Sequence, residues 1–244
     1  MINVVAIPYL NTTPFVFGLK QEFIAGSIEL SYATPAMAAH QLQHNLCDIA
    51  IVPVAAIPAL PYSEIIGTHC IGAVSAVASV LLCSQVPVTQ IKEVALDQES
   101  RTSVVLAQLL LQDYWQVTPA YVPLSANFPD CCPESVVLIG DKALLYGGHY
   151  PHVYDLAEHW INWTGKPFVF AAWVANKALP DGFATLFDQA LAYGVSHIDE
   201  AIASEAGNRF PKEMAKEYLI NNISYRFDEE KRIGLDLFLF FAMQ

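Results

Sequence analysis

Residues 28–54 read IELSYATPAMAAHQLQHNLCDIAIVPV, and the fold turns on them. Ile28 to Ala33 predicts a short apolar strand. Thr34-Pro35 then supplies a helix N-cap hydroxyl followed by proline at the first helical position, where its missing N–H costs nothing. Met37, Ala38 and Leu42 carry the helix that follows, and Asp48 to Val54 returns as a buried strand. Strand, helix and returning strand make one βαβ unit, and the chain is therefore expected to be an α/β protein.

The pattern extends outward from this unit. Ile2 to Pro8 is a second short apolar run upstream. Downstream, Ala78 to Cys83, Glu93 to Leu96, Ser135 to Ile139 and Phe168 to Val174 predict strands. Ser100 to Trp115 predicts a helix, with Val105, Leu106, Leu109 and Leu110 at helical spacing. From Asp181 onward the pattern predicts helices only. Phe183, Leu186, Phe187, Ala190 and Leu191 mark one, Ile198 to Ala206 a second and Lys212 to Ile220 a third. Asp228 is expected to cap the last, which carries Leu235, Phe238 and Phe241 on one face.

The 244 residues amount to one large domain or two small lobes. There is no internal repeat and no Gly/Ser linker. A second lobe must then be an insertion, with two crossings near Ala78–Ser84 and Phe168–Val174. The expected division is 1–82 plus 173–244 for one lobe and 83–172 for the other. Open α/β lobes hold ligands at the carboxyl ends of their strands, so a ligand cleft between the lobes is expected, as in hinge-closing binding proteins.

Composition narrows the function. Hydrophobic residues make up 54% of the chain and charged ones 15%, which provides for a sizeable core and excludes the disordered class. Twelve Lys+Arg against 24 Asp+Glu leave a net charge of −12. That balance argues against nucleic acid or an anionic membrane as partner, since both need clustered cations. Only four arginines occur, at 101, 209, 226 and 232, so an anionic ligand is expected to rely on backbone amides. No Asp, Glu, Lys or Arg lies between Glu64 and Lys92. Ser75, Ser79, Ser84, Gln85 and Pro87 interrupt that stretch, and two buried strands with a turn account for it better than a membrane span. Met1 to Pro8 lacks a basic n-region, so no export signal and a cytoplasmic location are expected. The cysteines form no CxxC. Cys47, Cys70 and Cys83 sit in apolar runs, and His149 and His152 flank Tyr150-Pro151 in a loop, so no metal and no cofactor are expected.

Four places carry groups suited to a small polar ligand. In Pro8-Tyr9-Leu10-Asn11-Thr12-Thr13-Pro14, directly after the first strand, Asn11 can both donate and accept hydrogen bonds. The same turn also reads as an ordinary helix cap. Asp97-Gln98-Glu99-Ser100-Arg101-Thr102-Ser103 opens a helix, where free N–H groups, the Thr102 and Ser103 hydroxyls and Arg101 suit an anion. Simple capping, with Arg101 paired to Asp97 or Glu99, reads equally well. In Leu138-Ile139-Gly140-Asp141-Lys142, Gly140 permits close approach of a ligand, while Asp141 also reads as an N-cap. Ser79, and Ser84 with it, lie on a strand at a lobe crossing, where a hydroxyl faces either ligand or backbone. There is no GxGxxG, no GxxxxGK[ST] and no GxSxG, so neither nucleotide chemistry nor a serine nucleophile has support.

Together, Tyr9-Leu10-Asn11-Thr12, Ser79-Val80-Leu81-Leu82-Cys83-Ser84, Ser100-Arg101-Thr102-Ser103-Val104, Leu138-Ile139-Gly140-Asp141 and Tyr154-Asp155-Leu156-Ala157-Glu158 resemble the chorismate dehydratase family. So do Trp163-Thr164-Gly165-Lys166-Pro167-Phe168-Val169-Phe170-Ala171 and Asn222-Ile223-Ser224-Tyr225-Arg226-Phe227-Asp228. The seven motifs occur in order, and the match runs from about Ile2 to Phe240. The resemblance implies a fold similar to type II periplasmic binding proteins. It also implies a carbon–oxygen lyase that takes chorismate to 3-[(1-carboxyvinyl)oxy]benzoate and water, a step of menaquinone biosynthesis by the futalosine route. By the same resemblance Asn11 and Ser79 would lie beside the reacting ring, and Thr102 and Ser103 at the carboxylates. Arg101, Gly140 and Asp141 would also bind substrate. The base would be either Asp141 or the substrate's own enolpyruvyl carboxylate. Two other readings compete: a non-catalytic small-anion binding protein or sensor, and the sister 1,4-dihydroxy-6-naphthoate synthase.

Overall fold

The structure, a computed structural model, describes residues 1–97, 99, 101–205 and 209–243. Gln98 and Ser100 of the expected anion turn, and Ala206 at the expected end of one helix, lie outside the described residues. In chain order the strands are β1 (Ile2–Ala6), β2 (Ile28–Tyr32), β3 (Ile49–Pro53), β4 (Glu64–Ala73), β5 (Val80–Ser84), β6 (Glu93–Leu96), β7 (Ala120–Pro123), β8 (Ser135–Ile139), β9 (His152–Asp155), β10 (Phe168–Ala175) and β11 (Ser224–Arg226). The helices are α1 (Thr13–Leu19), α2 (Glu22–Ala25), α3 (Pro35–Gln43), α4 (Arg101–Leu109), α5 (Gly140–Tyr146), α6 (Leu156–Thr164), α7 (Phe183–Ser196), α8 (Ile198–Glu205), α9 (Lys212–Glu217) and α10 (Glu229–Ala242).

The chain divides into two compact units. The first takes Met1–Gly72 and Val169–Asp228, the second Ala73–Phe168 and the C-terminal segment from Glu229. The sequence reading carried residues 173–244 into one lobe, but α10 lies in the second unit. There Trp163 stacks on Phe241 at 5.1 Å, Trp160 meets Phe238 edge-on at 6.0 Å, and Lys166 Nζ sits 3.0 Å from Glu230. An amphipathic stripe declares that a helix face is buried, not which surface buries it.

In the first unit the sheet order is β11-β4-β10-β3-β1-β2. β1 runs parallel to β2 and β3, with Val4 opposite both Leu30 and Ile49, while β10 lies antiparallel on β3. Every residue of β3 and β10 is buried, as the continuous apolar runs of central strands require. The βαβ unit forms as read, and Thr34 Oγ1 accepts from Met37 N at 3.4 Å with Pro35 opening α3. Val5, Ala38, Leu42, Ala50, Val52 and Val174 pack together beneath it. Glycines let α1 and α7 approach closely: a Cβ on Gly18 would lie 1.8 Å from Ala190 O.

In the second unit the order is β7-β6-β8-β5-β9. β6 is parallel to β7 and β8, and β5 is antiparallel to β8 and β9. Leu81, Cys83, Ala95, Val136, Leu138 and Tyr150 form its core cluster.

Several expectations need correction. The uncharged stretch between Glu64 and Lys92 does contain two strands, but β4 and β5 belong to different sheets and are not a hairpin. β7 and β9 were unforeseen, and His152 sits in β9, not in a loop. The region after Asp181 is not helical throughout, because β11 pairs antiparallel with β4. Strands of three or four residues show too little alternation to be read locally, and their partners define them. The helix expected to reach Trp115 ends as α-helix at Leu109, and Leu110–Tyr114 widens into a π-helical turn. Among the described residues no helix is long and apolar enough to cross a membrane.

Candidate functional site

The candidate residues fall at sheet edges, and each unit is built by its own geometry. In the first unit β1 ends at Ala6, and Leu10–Thr12 form a 3-10 turn that runs straight into α1. Side chains pin this turn from several directions. The Thr12 hydroxyl, 1% exposed, donates to Ile7 O and, at 2.8 Å, to Tyr9 O. Tyr225 Oη donates to Asn11 O at 2.9 Å, and Arg209 Nη1 donates to Pro8 O at 3.2 Å. Burial raises the Tyr225 phenol well above its ordinary value, so it stays a protonated donor. Backbone carbonyls along the turn are thus engaged, while the half-buried Asn11 side-chain amide has no hydrogen-bond partner among the described residues. A rigid turn presenting an uncommitted amide at a strand's carboxyl end suits a polar ligand.

In the second unit the topology gathers the remaining candidates. β6, β8 and β9 end at one edge of the sheet, and antiparallel β5 begins there. Ser79, 1% exposed, immediately precedes β5, and its carbonyl accepts from Gly140 N at 2.8 Å. Gly140 opens α5 with φ +53°, in the left-handed region that favours glycine. Asp141 stands in the first turn of α5, partly buried, and is not the N-cap: Ile139 holds that position. Thr102 and Ser103 sit in the first turn of α4, their residues 0% and 2% exposed. Arg101 is exposed and makes no ion pair with Asp97 or Glu99.

Lys142 takes both of those carboxylates, with Nζ 2.9 Å from Asp97 and 3.5 Å from Glu99. Burial works against the Lys142 charge, but the two carboxylates outweigh it and hold its pKa above the ordinary value. The ammonium therefore stays charged and ties the loop after β6 to α5. Ser84 is removed from the candidates: its Oγ lies 2.9 Å from Ser135 Oγ and accepts from Val86 N at 3.1 Å.

Three positioning groups escaped the sequence reading. Asp155 caps α6, accepting from Ala157 N and Glu158 N at 3.0 and 3.1 Å, and also takes Ala78 N at 2.7 Å. That last bond holds Ala78 at φ +61°, directly before Ser79. Burial raises the Asp155 pKa, with these amides pulling the other way. Asp155-x-x-Glu158 is a capping-box pattern, so the cap was legible, but the bond back to Ala78 was not. Lys142 and Tyr225 had no local signal. Among the described residues, no three His, Cys, Asp or Glu side chains converge as a metal site would require.

These two sheets, with candidate ligand groups at the carboxyl edges of parallel strands, define an α/β protein with the periplasmic-binding-protein fold. Solved structures bear this out. Protein AF1704 from Archaeoglobus fulgidus superposes with a TM-score of 0.78 at 16% identity, covering 99% of this chain and 96% of that one. The Candida albicans CA3427 gene product, described as having the generic periplasmic binding protein fold, gives 0.65 at 16% identity, covering 100% and 90%. The chain belongs to the menaquinone biosynthesis family, whose model matches residues 2–244. It is also 28% identical over 187 residues to the chorismate dehydratase of Thermus thermophilus, covering 66% of this chain and 67% of that protein. The resemblance read from the seven motifs stands.

Proposed function

We propose that this protein is a chorismate dehydratase, converting chorismate to 3-[(1-carboxyvinyl)oxy]benzoate and water in the futalosine route to menaquinone. The observation that carries the reading is the gathering of Ser79, Thr102, Ser103, Gly140 and Asp141 at one sheet edge. Asn11 stands likewise at the carboxyl end of β1. The full-length family match and the Thermus relative support it.

The reaction needs little chemistry from the protein. The ring carbon bearing the enolpyruvyl ether loses a proton and its neighbour loses hydroxide. The electron pair left behind completes the aromatic ring, and proton and hydroxide leave as water. Aromatisation supplies the driving force, so orientation and proton handling are the protein's task. In this reading Asn11 and Ser79 hold the ring and the departing hydroxyl, and Thr102 and Ser103 hold carboxylate. Arg101, Gly140 and Asp141 also bear on the substrate. The proton passes to the substrate's own enolpyruvyl carboxylate, and Asp141 does not take it.

The test is to mix purified protein with chorismate and follow the product by liquid chromatography with mass detection. Loss of one water with a new aromatic absorbance is expected, and Asn11→Ala or Ser79→Ala should each lower kcat about 100-fold. Asp141→Asn should keep turnover within about tenfold; a variant that binds substrate yet is inert would make Asp141 the base. Unchanged chorismate with a raised melting temperature would favour a binding protein instead.

A further inference from the structure

Tyr154-Asp155-Leu156-Ala157-Glu158 is one of the seven motifs that carry the family resemblance, yet the proposed reaction gives it no task. Asp155 closes β9 and precedes α6, and β9 lies antiparallel on β5 with Asp155 opposite Leu81. Its carboxylate therefore stands beside the residues that lead into β5. Oδ1 accepts from Ala157 N at 3.0 Å and from Glu158 N at 3.1 Å, as a helix N-cap does. Oδ2 turns the other way and accepts from Ala78 N at 2.7 Å. Val77 N is a further donor to the same carboxylate. Each hydrogen bond to this side chain comes from a backbone N–H, which suits an ionised carboxylate, an acceptor only.

A helix cap needs only one of these oxygens, and serine or asparagine serves it as well. The second oxygen acts on the chain before Ser79. Ala78 has φ +61°, a left-handed conformation that a residue with a Cβ keeps only where its surroundings hold it. Ser79 follows, buried, and its carbonyl accepts from Gly140 N at 2.8 Å. Ser79 is thus gripped on both sides, through its own carbonyl by α5 and through the preceding residue by Asp155. Without the Asp155 bond, Ala78 relaxes toward negative φ, which rotates the peptide leading into Ser79 and displaces its hydroxyl.

We propose that Asp155 is the positioning residue for Ser79: its second oxygen fixes Ala78 in the left-handed conformation and so sets where the Ser79 hydroxyl meets the substrate. The inference rests on the chorismate reading, in which Ser79 holds the ring and the departing hydroxyl. It gives a reason for aspartate, and not another capping residue, at this position.

Asp155→Asn isolates the effect, because its carbonyl oxygen keeps the cap while its NH₂ meets the Ala78 N–H, donor against donor. Chorismate kinetics should show kcat lower by about tenfold with KM within about threefold of wild type. Asp155→Ser, whose single oxygen is committed to the cap, should behave alike and guards against a flipped amide. Action through Ser79 makes the losses non-additive, so Asp155→Asn with Ser79→Ala should be no slower than Ser79→Ala alone. Ala78→Gly, which takes positive φ without steric cost, should recover part of the Asp155→Asn loss. A residue that only stabilised the fold would give additive losses and no such rescue. Amide hydrogen exchange, read by NMR, tests the geometry apart from the reaction. In Asp155→Asn the Ala78 amide should exchange at least about tenfold faster while Ala157 keeps its wild-type rate. Additive kinetic losses, or an Ala78 amide as slow as in wild type, overturn the proposal. Wild-type protein that leaves chorismate unchanged overturns the dehydratase reading instead, and the hold on Ser79 is then decided by exchange alone.

Discussion

At residue scale the second unit contains a histidine in aromatic surroundings whose protonation opposes folding. His159 of α6 packs edge-on to Trp115 at 4.8 Å and lies 5.8 Å from Tyr114 and 5.9 Å from Tyr154. Its Nδ1 is buried without a hydrogen-bond partner among the described residues. Burial lowers its pKa below 6.5, with Glu158 and Asp155 only partly offsetting the effect. The unfolded chain therefore takes up the proton first as pH falls, and stability declines from about pH 6.5 downward until the folded form also protonates. Urea midpoints at about pH 7.5 and about pH 5.5 should differ more for wild type than for His159→Phe. Equal differences in the two proteins would mean that the imidazole titrates alike in folded and unfolded chains.

At the scale of elements, α1 and α7 carry the first unit's tightest helix contact. Gly18 and Gly194 face one another across it, and a Cβ on Gly194 would lie 1.8 Å from Pro14 O. Backbone atoms cannot swing aside as side-chain ends do, so the helices must separate. Gly18→Ala should cost about 3 kcal/mol, the upper end of ordinary overpacking, although alanine is the better helix former. A denaturant midpoint equal to or above wild type would show that α7 is free to move. Because α1 continues directly from the turn bearing Asn11, displacement there should also reach the candidate site. Apolar spacing made α7 legible as a helix, and α1 was legible only as the helix that an ordinary cap at Asn11–Pro14 would open; their separation depends on two glycines 176 positions apart (194 − 18).

At the scale of the whole molecule the acidic balance sets the long-range field. A chain of net charge −12 repels a dianionic substrate at low ionic strength, and salt screens that repulsion. On the chorismate reading, kcat/KM should rise about two- to threefold between about 10 mM and about 150 mM salt, the reverse of an electrostatically steered enzyme. A falling kcat/KM would show that a local cationic field dominates the approach.

The amino-acid sequence by itself determined the α/β class, the βαβ unit with its Thr34–Pro35 start, the principal strands and helices, and the family. Each of these rests on residues near in sequence, through apolar period, capping chemistry or motif order. Tertiary structure alone decided which sheet receives β4 and β5, that β7, β9 and β11 are strands, and that α10 packs with the second unit. It also decided how the candidate groups are held. Tyr225 reaches Asn11 across 214 positions, Arg209 reaches Pro8 across 201, and Asp155 reaches Ala78 across 77. None of these bonds leaves a local signature, because a side chain's partner across such a separation is chosen by the packing of whole elements. Lys142 shows the same limit at shorter range: it displaced Arg101 as the partner of Asp97 and Glu99 because α5 starts beside the end of β6, a neighbourhood that the pairing of β6 with β8 creates.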